Sequence, residues 1–307
     1  MKEAAVKFPV VCFGEVGWDF LPGTSNPGAS LFHLAYYLQL LGVQPAVITK
    51  AGMDGCGKKL IELFELWGIT TDFFQLDDNL PTGRVIVKLN DNKELQYEMP
   101  GLFAWDHIVP DNAQMQIAEN CQFFVFDSLV ARSKTSRDTL YPLLHTKACR
   151  VLDLNLRNPY YSRETIEYLL RNTDLLKLNL SELELLTGWI SYYATAEDRL
   201  RALQDKFLIK RILLTNSANQ TSLFTDGLTF SRYMSPVEVV DPAGNGGAFV
   251  GALIFKLIEQ QPLADAHIFA GSFASLTANK QGACPEFTQF EIMNPITSQN
   301  TSLPTQK

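Results

Sequence analysis

Short unbroken apolar runs punctuate the chain. PVVCFG (9–14), PAVITKAG (45–52), QFFVFDS (122–128), RVLDLNL (150–156), DLLKLNL (174–180) and RILLTNS (211–217) each read as a strand covered on both faces. Central parallel strands look like this because neither face meets water. Between them the apolar period changes. Leu31, Leu34, Ala35, Leu38 and Leu41 follow helical spacing and stop at Gly42, and Leu60, Leu63, Phe64 and Trp67 do the same before Gly68. Residues 162–171 and 196–206 also read as helices. Strands alternating with helices predict an α/β fold, a doubly wound and mainly parallel sheet with helices on both faces. RVIVKL (84–89) and ELQYEM (94–99), joined by NDNK, break the alternation and predict a hairpin outside that sheet.

Composition narrows the function classes. The 307 residues are 46% hydrophobic and 19% charged, enough for a large core and unlike a disordered chain. A net charge of −7 argues against a nucleic-acid partner. No apolar run approaches the roughly 20 residues of a membrane helix, so no membrane partner is expected. MKEAAVKFPVV carries no signal-peptide pattern, so a cytoplasmic location is expected. Cys12, Cys56, Cys121, Cys149 and Cys284 are scattered without a CxxC pair and read as reduced thiols. The four histidines show no zinc-ligand spacing.

Four stretches could carry chemistry. In Asp241-Pro-Ala-Gly244-Asn245-Gly246-Gly247, glycines lead into an apolar helix, so backbone N–H groups and the helix dipole could meet an anion. The same glycines would also serve a plain strand-to-helix turn. Gly52-Met-Asp-Gly-Cys-Gly57-Lys58-Lys59 approaches a P-loop but has Lys59 where a hydroxyl should hold magnesium, so it reads as a capped turn before a helix over 58–67. Alternation along 153–157 predicts Asp153, Asn155 and Arg157 on one face at a strand's carboxyl end, where open parallel sheets bind ligands. Lys177, Asn179 and Glu182 close another strand, as site residues or as a helix N-cap. Asp19, just after the first strand, could bind a polyol hydroxyl or be a solvated loop acid.

Taken in order, these pieces resemble the ribokinase-like (PfkB-type) carbohydrate kinases, closest to fructokinases. The resemblance covers roughly residues 9–290. It rests on GEVGWDFLPG at 14–23, GASLFHLAYYLQLLG at 28–42, GMDGCG at 52–57, PTG at 81–83 and DSLVARS at 127–133. It continues through DLNLR at 153–157, KLNLSELELLTG at 177–188, DPAGNGGAF at 241–249 and ANKQGACP at 278–285. It implies one ribokinase-like domain over 1–294, a small β lid over the sugar built from about 14–24 and 83–101, and a polar tail over 295–307. It implies a small-molecule sugar as partner and Mg-ATP as cofactor, with a hydroxyl attacking the γ-phosphate. The lid edge could also pair two copies into a homodimer.

Residue by residue, the resemblance places Asp19, Gly28, His33, Asp153, Asn155 and Arg157 at the sugar. It places Asn179, Glu182, Thr215, Ser217, Asp241 and Asn279 at the nucleotide, with Glu182 organising magnesium indirectly. Gly244, Asn245 and Gly246 form the anion hole. The family's loop then ends in the Asp that serves as base, and here that position is Gly247. Other departures are Gly28-Ala29 with His33 in the place of an Asn, a glycine-free stretch at Asn216–Gln220, and Asp127 where a glycine usually stands. The resemblance therefore implies a fructokinase-like enzyme with an impaired site, or a non-catalytic relative that binds a sugar, nucleotide or protein partner. Gly247→Asp is the substitution that would return the base.

Overall fold

The computed structural model describes residues 7–295 apart from 22, 90–94, 218–219, 226–227, 234–238 and 242. The NDNK turn, Ala218-Asn219 and the tail from 296 lie outside the described residues, as does the side chain of Ser217.

The first strand, β1 (Val10–Phe13), is followed by the hairpin β2 (Gly17–Leu21) and β3 (Thr24–Gly28), then helix α1 (Ser30–Leu40). Next come β4 (Pro45–Gly52), α2 (Gly55–Leu66), β5 (Phe74–Asp77) and a second hairpin, β6 (Gly83–Leu89) and β7 (Leu95–Glu98). The chain then alternates through α3 (Asn112–Asn120), β8 (Phe123–Asp127), α4 (Lys134–Leu143), β9 (Cys149–Asp153), α5 (Arg163–Arg171), β10 (Leu175–Asn179), α6 (Leu180–Gly188) and α7 (Ala196–Phe207). It closes with β11 (Arg211–Ser217), β12 (Gln220–Thr225), β13 (Leu228–Tyr233), α8 (Asn245–Ile258), α9 (Leu263–Ala278) and α10 (Gln289–Met293).

Among the described residues these form a nine-stranded sheet, ordered β13-β12-β11-β10-β9-β8-β1-β4-β5, and a four-stranded sheet ordered β3-β2-β6-β7. The large sheet is parallel from β11 across to β5, and β12 and β13 run antiparallel at one edge. The doubly wound reading is borne out, and the register shows why. Val10 and Cys12 of β1 join one buried cluster with α1, α8 and α9, while Val11 and Phe13 join another with helices on the opposite face. The 84–99 hairpin does leave the main sheet, and it pairs with β2.

The P-loop-like stretch is a capped turn. Asp54 accepts from Gly57 N at 2.8 Å, and the helix begins at Gly55, three residues before the predicted 58. The same carboxylate accepts from Thr82 Oγ1 at 2.7 Å and Thr82 N at 3.0 Å, which ties the large sheet to the start of β6. No helix among the described residues is long and apolar enough to cross a membrane.

Chain direction decides where a ligand can sit. From β1 the chain moves to β4 and β5 on one side, then returns to β8 on the other. The carboxyl ends of β1 and β8 therefore flank the point where winding reverses, and a crevice opens there.

Candidate active site

A cavity of about 300 Å³ occupies that crevice. Its floor comes from the large sheet: Glu15 after β1, Asp153 at the end of β9 and Lys177 on β10. One wall comes from the small sheet, with Trp18, Asp19, Arg84, Val85 and Tyr97. Another wall is the start of α1 and of α8, with Ala29, Ser30, His33, Gly244, Gly246 and Gly247. Phe103, which caps a 3₁₀ turn at Ala104–His107, and Trp105 within it close the apolar side.

Asp153, Asn155 and Arg157 do line one cavity, but alternation along a strand is not the reason. β9 stops at Asp153, Leu154 is fully buried, and its N–H bonds Lys177 O at 2.9 Å. Asn155 then adopts a left-handed φ of 45°, a conformation asparagine tolerates better than most residues, and this turns the chain back to the cavity. Arg157 lies over the Tyr97 ring at 4.2 Å, joining the small sheet to the large one.

The polar centre is a chain of contacts. Lys177 Nζ donates to Asp153 Oδ1 at 2.9 Å, and Ser30 Oγ donates to Asp153 Oδ2 at 2.8 Å. Burial acts to depress the Lys177 ammonium, but Asp153 beside it and Glu182 nearby hold it above its ordinary value. It therefore stays charged. An atom added as Cβ at Gly246 would lie 3.3 Å from Lys177 Nζ, so the glycine loop faces this cation. Gly244 caps α8 in a left-handed conformation, φ 75°, without any side-chain cap. A Cβ there would meet Ala283 O at 2.2 Å, so only glycine fits. The uncapped N–H groups of α8, its dipole and Lys177 together make a site suited to phosphate.

Asp19 sits between strands of the small sheet, and a Cβ at Gly28 would lie 2.5 Å from its carboxyl. Gly28 thus serves the site by leaving room for Asp19. Burial pushes the Asp19 carboxyl up to about 6, although Arg157 opposes the shift. A carboxyl raised in the fold binds protons more tightly there than in the unfolded chain. Its contribution to stability is therefore expected to fall as pH rises from about 4 to about 6, and to stay level above that. Melting the native protein and Asp19→Asn across this range checks it. The native curve declines relative to the variant, and parallel curves would refute the assignment.

His33 lines the cavity with its Nε2 3.3 Å from Pro27 O, and burial lowers its pKa to about 4. The ring is neutral near pH 7.

The nucleotide positions of the sequence reading fall outside the cavity wall. Asn179 and Glu182 form a capping box for α6, each side chain bonding the other's N–H at 2.8 Å. The second Glu182 oxygen accepts from Leu156 N at 2.8 Å. The capping alternative therefore holds, and both carboxyl oxygens are committed to backbone. Thr215 Oγ1 donates to Leu178 O at 3.3 Å. Asp241 bridges Ala243 N at 2.9 Å and Gly282 N at 3.1 Å, and Asn279 is the exposed C-cap of α9. The stretch read as a glycine-free loop at 216–220 is largely strand, since β11 runs to Ser217 through a bulge after Thr215 and Gln220 begins β12. Asn245 Oδ1 is buried without a hydrogen-bond partner.

Gly247 is buried against helix α1. A Cβ there would lie 2.8 Å from Leu34 N and 3.0 Å from His33 Cβ. The direction a side chain would take is filled by backbone, which corrects the expectation that one substitution could simply return an acid.

Comparison with known proteins adds the family. A family model described as pfkB family carbohydrate kinase matches residues 34–289. The chain belongs to this family. Among curated relatives, the probable fructokinase-3 of Arabidopsis thaliana is 24% identical, covering 94% of this chain and 92% of its own. The fructokinase of Solanum tuberosum is 25% identical over 90% and 91%. A solved fructokinase from Vibrio cholerae O395, bound to fructose, ADP and calcium, superposes with a TM-score of 0.80 at 19% identity, covering 94% and 99%. A fructokinase from Xylella fastidiosa with bound ATP gives 0.77 at 21% identity, covering 90% and 93%. At these identities the structures establish the ribokinase-like fold of this family member.

Several lining residues escaped the sequence reading of the site. Glu15, Trp18, Ser30, Arg84, Tyr97, Phe103 and Trp105 sit in stretches whose neighbours drew attention for other reasons. Lys177 was visible in KLNLSE, and its charge inside an apolar strand was the signal.

Proposed function

We propose that this protein is a fructokinase-like sugar kinase that transfers the γ-phosphoryl group of magnesium-ATP to a sugar hydroxyl, slowly, because no side chain at 247 can act as base. One observation carries the reading. The uncapped N-terminus of α8 and the Lys177 ammonium face the same cavity as Asp19, Asp153, Asn155 and Arg157. Phosphate-binding and polyol-binding groups therefore meet at one place.

Magnesium-ATP, when bound, supplies the phosphoryl group and the cation that screens its charge. The N–H groups of Asn245, Gly246 and Gly247 would hold the transferring phosphoryl oxygens, with Lys177 beside them. Glu182 would reach magnesium through water rather than directly, since both its oxygens accept backbone N–H groups. Asp19, Asn155 and Arg157 would orient the sugar, and the small sheet would act as a lid above it. Phosphoryl transfer passes through a loose transition state, so the attacking hydroxyl loses its proton late. A missing base then slows the step by about 10²–10⁴-fold and leaves the contribution of positioning intact.

A second reading rests on Gly247 and on the committed Asn179, Glu182 and Asp241 side chains. A protein that binds a sugar without turning it over would show the same features. Magnesium-ATP turnover on a panel of ketoses and aldoses, read as ADP release, separates the two. Slow ADP release dependent on a ketose, fructose foremost, supports the kinase. Stabilisation by sugar with no ADP release above background supports the binder, and neither signal refutes both.

A further inference from the structure

The floor of the cavity holds a pair of acids that the phosphoryl chemistry leaves unused. Glu15 follows β1 and lines the cavity, with 4% of its surface exposed. Asp127 ends β8 behind it and is fully buried. The two carboxyl groups sit where the winding of the sheet reverses.

The two side chains interact, and a hydrogen bond between two carboxyl groups needs a proton on one of them. Asp127 Oδ1 accepts from Leu129 N at 3.0 Å and Val130 N at 3.2 Å, which locks this carboxyl in place. Asn155 Nδ2 lies 3.5 Å from its other oxygen. Glu15 Oε2 is sealed from solvent, and no N–H or O–H group of the described chain reaches it. A buried carboxylate oxygen without a donor, next to a second carboxylate, is strongly unfavourable. One proton between the pair removes both the orphan and the like-charge repulsion. Burial raises both acids, and the neighbouring Asp127 raises Glu15 further, which favours keeping a proton on the pair. The charged groups around them are Asp153 on β9 and Arg157 just after it, with Lys177 on β10 and Asp19 on β2 across the cavity.

We propose that Glu15 reads a hydroxyl of the bound sugar. One of its oxygens is tied through the shared proton to Asp127, and the other accepts a hydrogen bond from the ligand. Asp127 is a positioning residue. It fixes the Glu15 rotamer and, by holding one proton with it, keeps the pair at a single negative charge instead of two. Asp127 stands where the family pattern has a glycine, so this chain has a second acid at a place where Glu15 would otherwise face the ligand alone. The inference rests on the sugar-kinase reading of the cavity.

Glu15→Gln is the decisive variant. A glutamine amide reproduces the protonated acid, with its NH₂ donating to Asp127 and its C=O facing the ligand. Fructose affinity, measured by calorimetry, is expected to stay within about threefold of native in Glu15→Gln. It is expected to fall about tenfold or more in Glu15→Ala, the scale of one lost hydrogen bond. The loss in Glu15→Ala should shrink for the deoxyfructose lacking the contacted hydroxyl, a coupling that a merely structural role would not produce. A second measurement needs no sugar. Infrared difference spectra at neutral pH should show a carboxylic-acid carbonyl band in the native protein that is missing from Glu15→Gln and from Asp127→Asn. Absence of that band in the native protein overturns the shared proton and the inference with it. Native-like fructose binding by Glu15→Ala overturns the hydroxyl contact alone. If no sugar of the panel binds while the acid band is present, the sugar reading itself fails, and the contact falls with it.

Discussion

A Gly247→Asp chain is expected to be less stable than the native protein by about 3 kcal/mol and to gain no turnover. The added Cβ would sit 2.8 Å from Leu34 N and 3.0 Å from His33 Cβ, both on α1. These atoms cannot move alone. α1 is held by Phe32, Tyr37 and Leu38, all fully buried, and α8 packs on it again at Gly251, where a Cβ would lie 3.4 Å from Leu34 and Tyr37 side-chain atoms. Overpacking of this kind costs about 1–3 kcal/mol, and an unpaired carboxylate at a buried position adds to it. Relief would come by prising α1 from α8. That would shift the Gly244–Gly247 turn and spoil the anion site that a new base would need. Urea unfolding of Gly247→Ala beside Gly247→Asp separates the contributions. Most of the loss should already be present with alanine. Gly246→Ala is the contrast, since its Cβ would meet no backbone, only the end of the Lys177 side chain at 3.3 Å and Asp153 Oδ2 at 3.9 Å, and it should change stability by less than about 1 kcal/mol. A stable, active Gly247→Asp protein would show that α1 yields freely and would refute this account.

The fold could be read early because the apolar runs are long and their period is clear. β1, β4, β8, β10 and β11 lie within predicted runs, β9 starts one residue before its run and stops at Asp153, and α1 ends at the predicted glycine turn. The site was legible where chemistry and strand ends coincide, as at Asp153, or where glycines are clustered, as at Gly244–Gly247. It was less legible where position depends on another part of the chain. Nothing near Trp105 in sequence shows that it faces Gly83, and nothing near Gly247 shows that α1 lies across it. Asn155 was placed in the right cavity for a wrong reason, since a left-handed residue and not strand alternation brings it there. Asn179 and Glu182 illustrate the opposite limit. Their spacing is equally that of a capping box, and only the hydrogen bonds show that the box is made. Glu15 was passed over because a single acid after a strand carries no pattern. Its meaning comes from Asp127, which lies more than a hundred residues later and on the adjacent strand.

Lys177→Met is expected to reduce stability by about 3–5 kcal/mol and to abolish nucleotide-dependent function. The ammonium and the Asp153 carboxylate are 2.9 Å apart, with side-chain exposures of 14% and 5%. Removing one partner leaves the other buried and uncompensated, and that penalty exceeds whatever the intact pair contributes. Ser30 Oγ would remain on Asp153 Oδ2, but one hydroxyl does not neutralise a buried charge. Asp153→Asn in the Lys177→Met background removes the stranded charge and should recover much of the stability. It should not recover function, because the cation beside Gly246 is still missing. Two outcomes separate the roles of the pair. Recovery of stability with magnesium-ADP binding still lost shows that Lys177 serves the phosphate. Recovery of both would show that the pair only supports the strands β9 and β10, and the anion site would then rest on the α8 N–H groups alone.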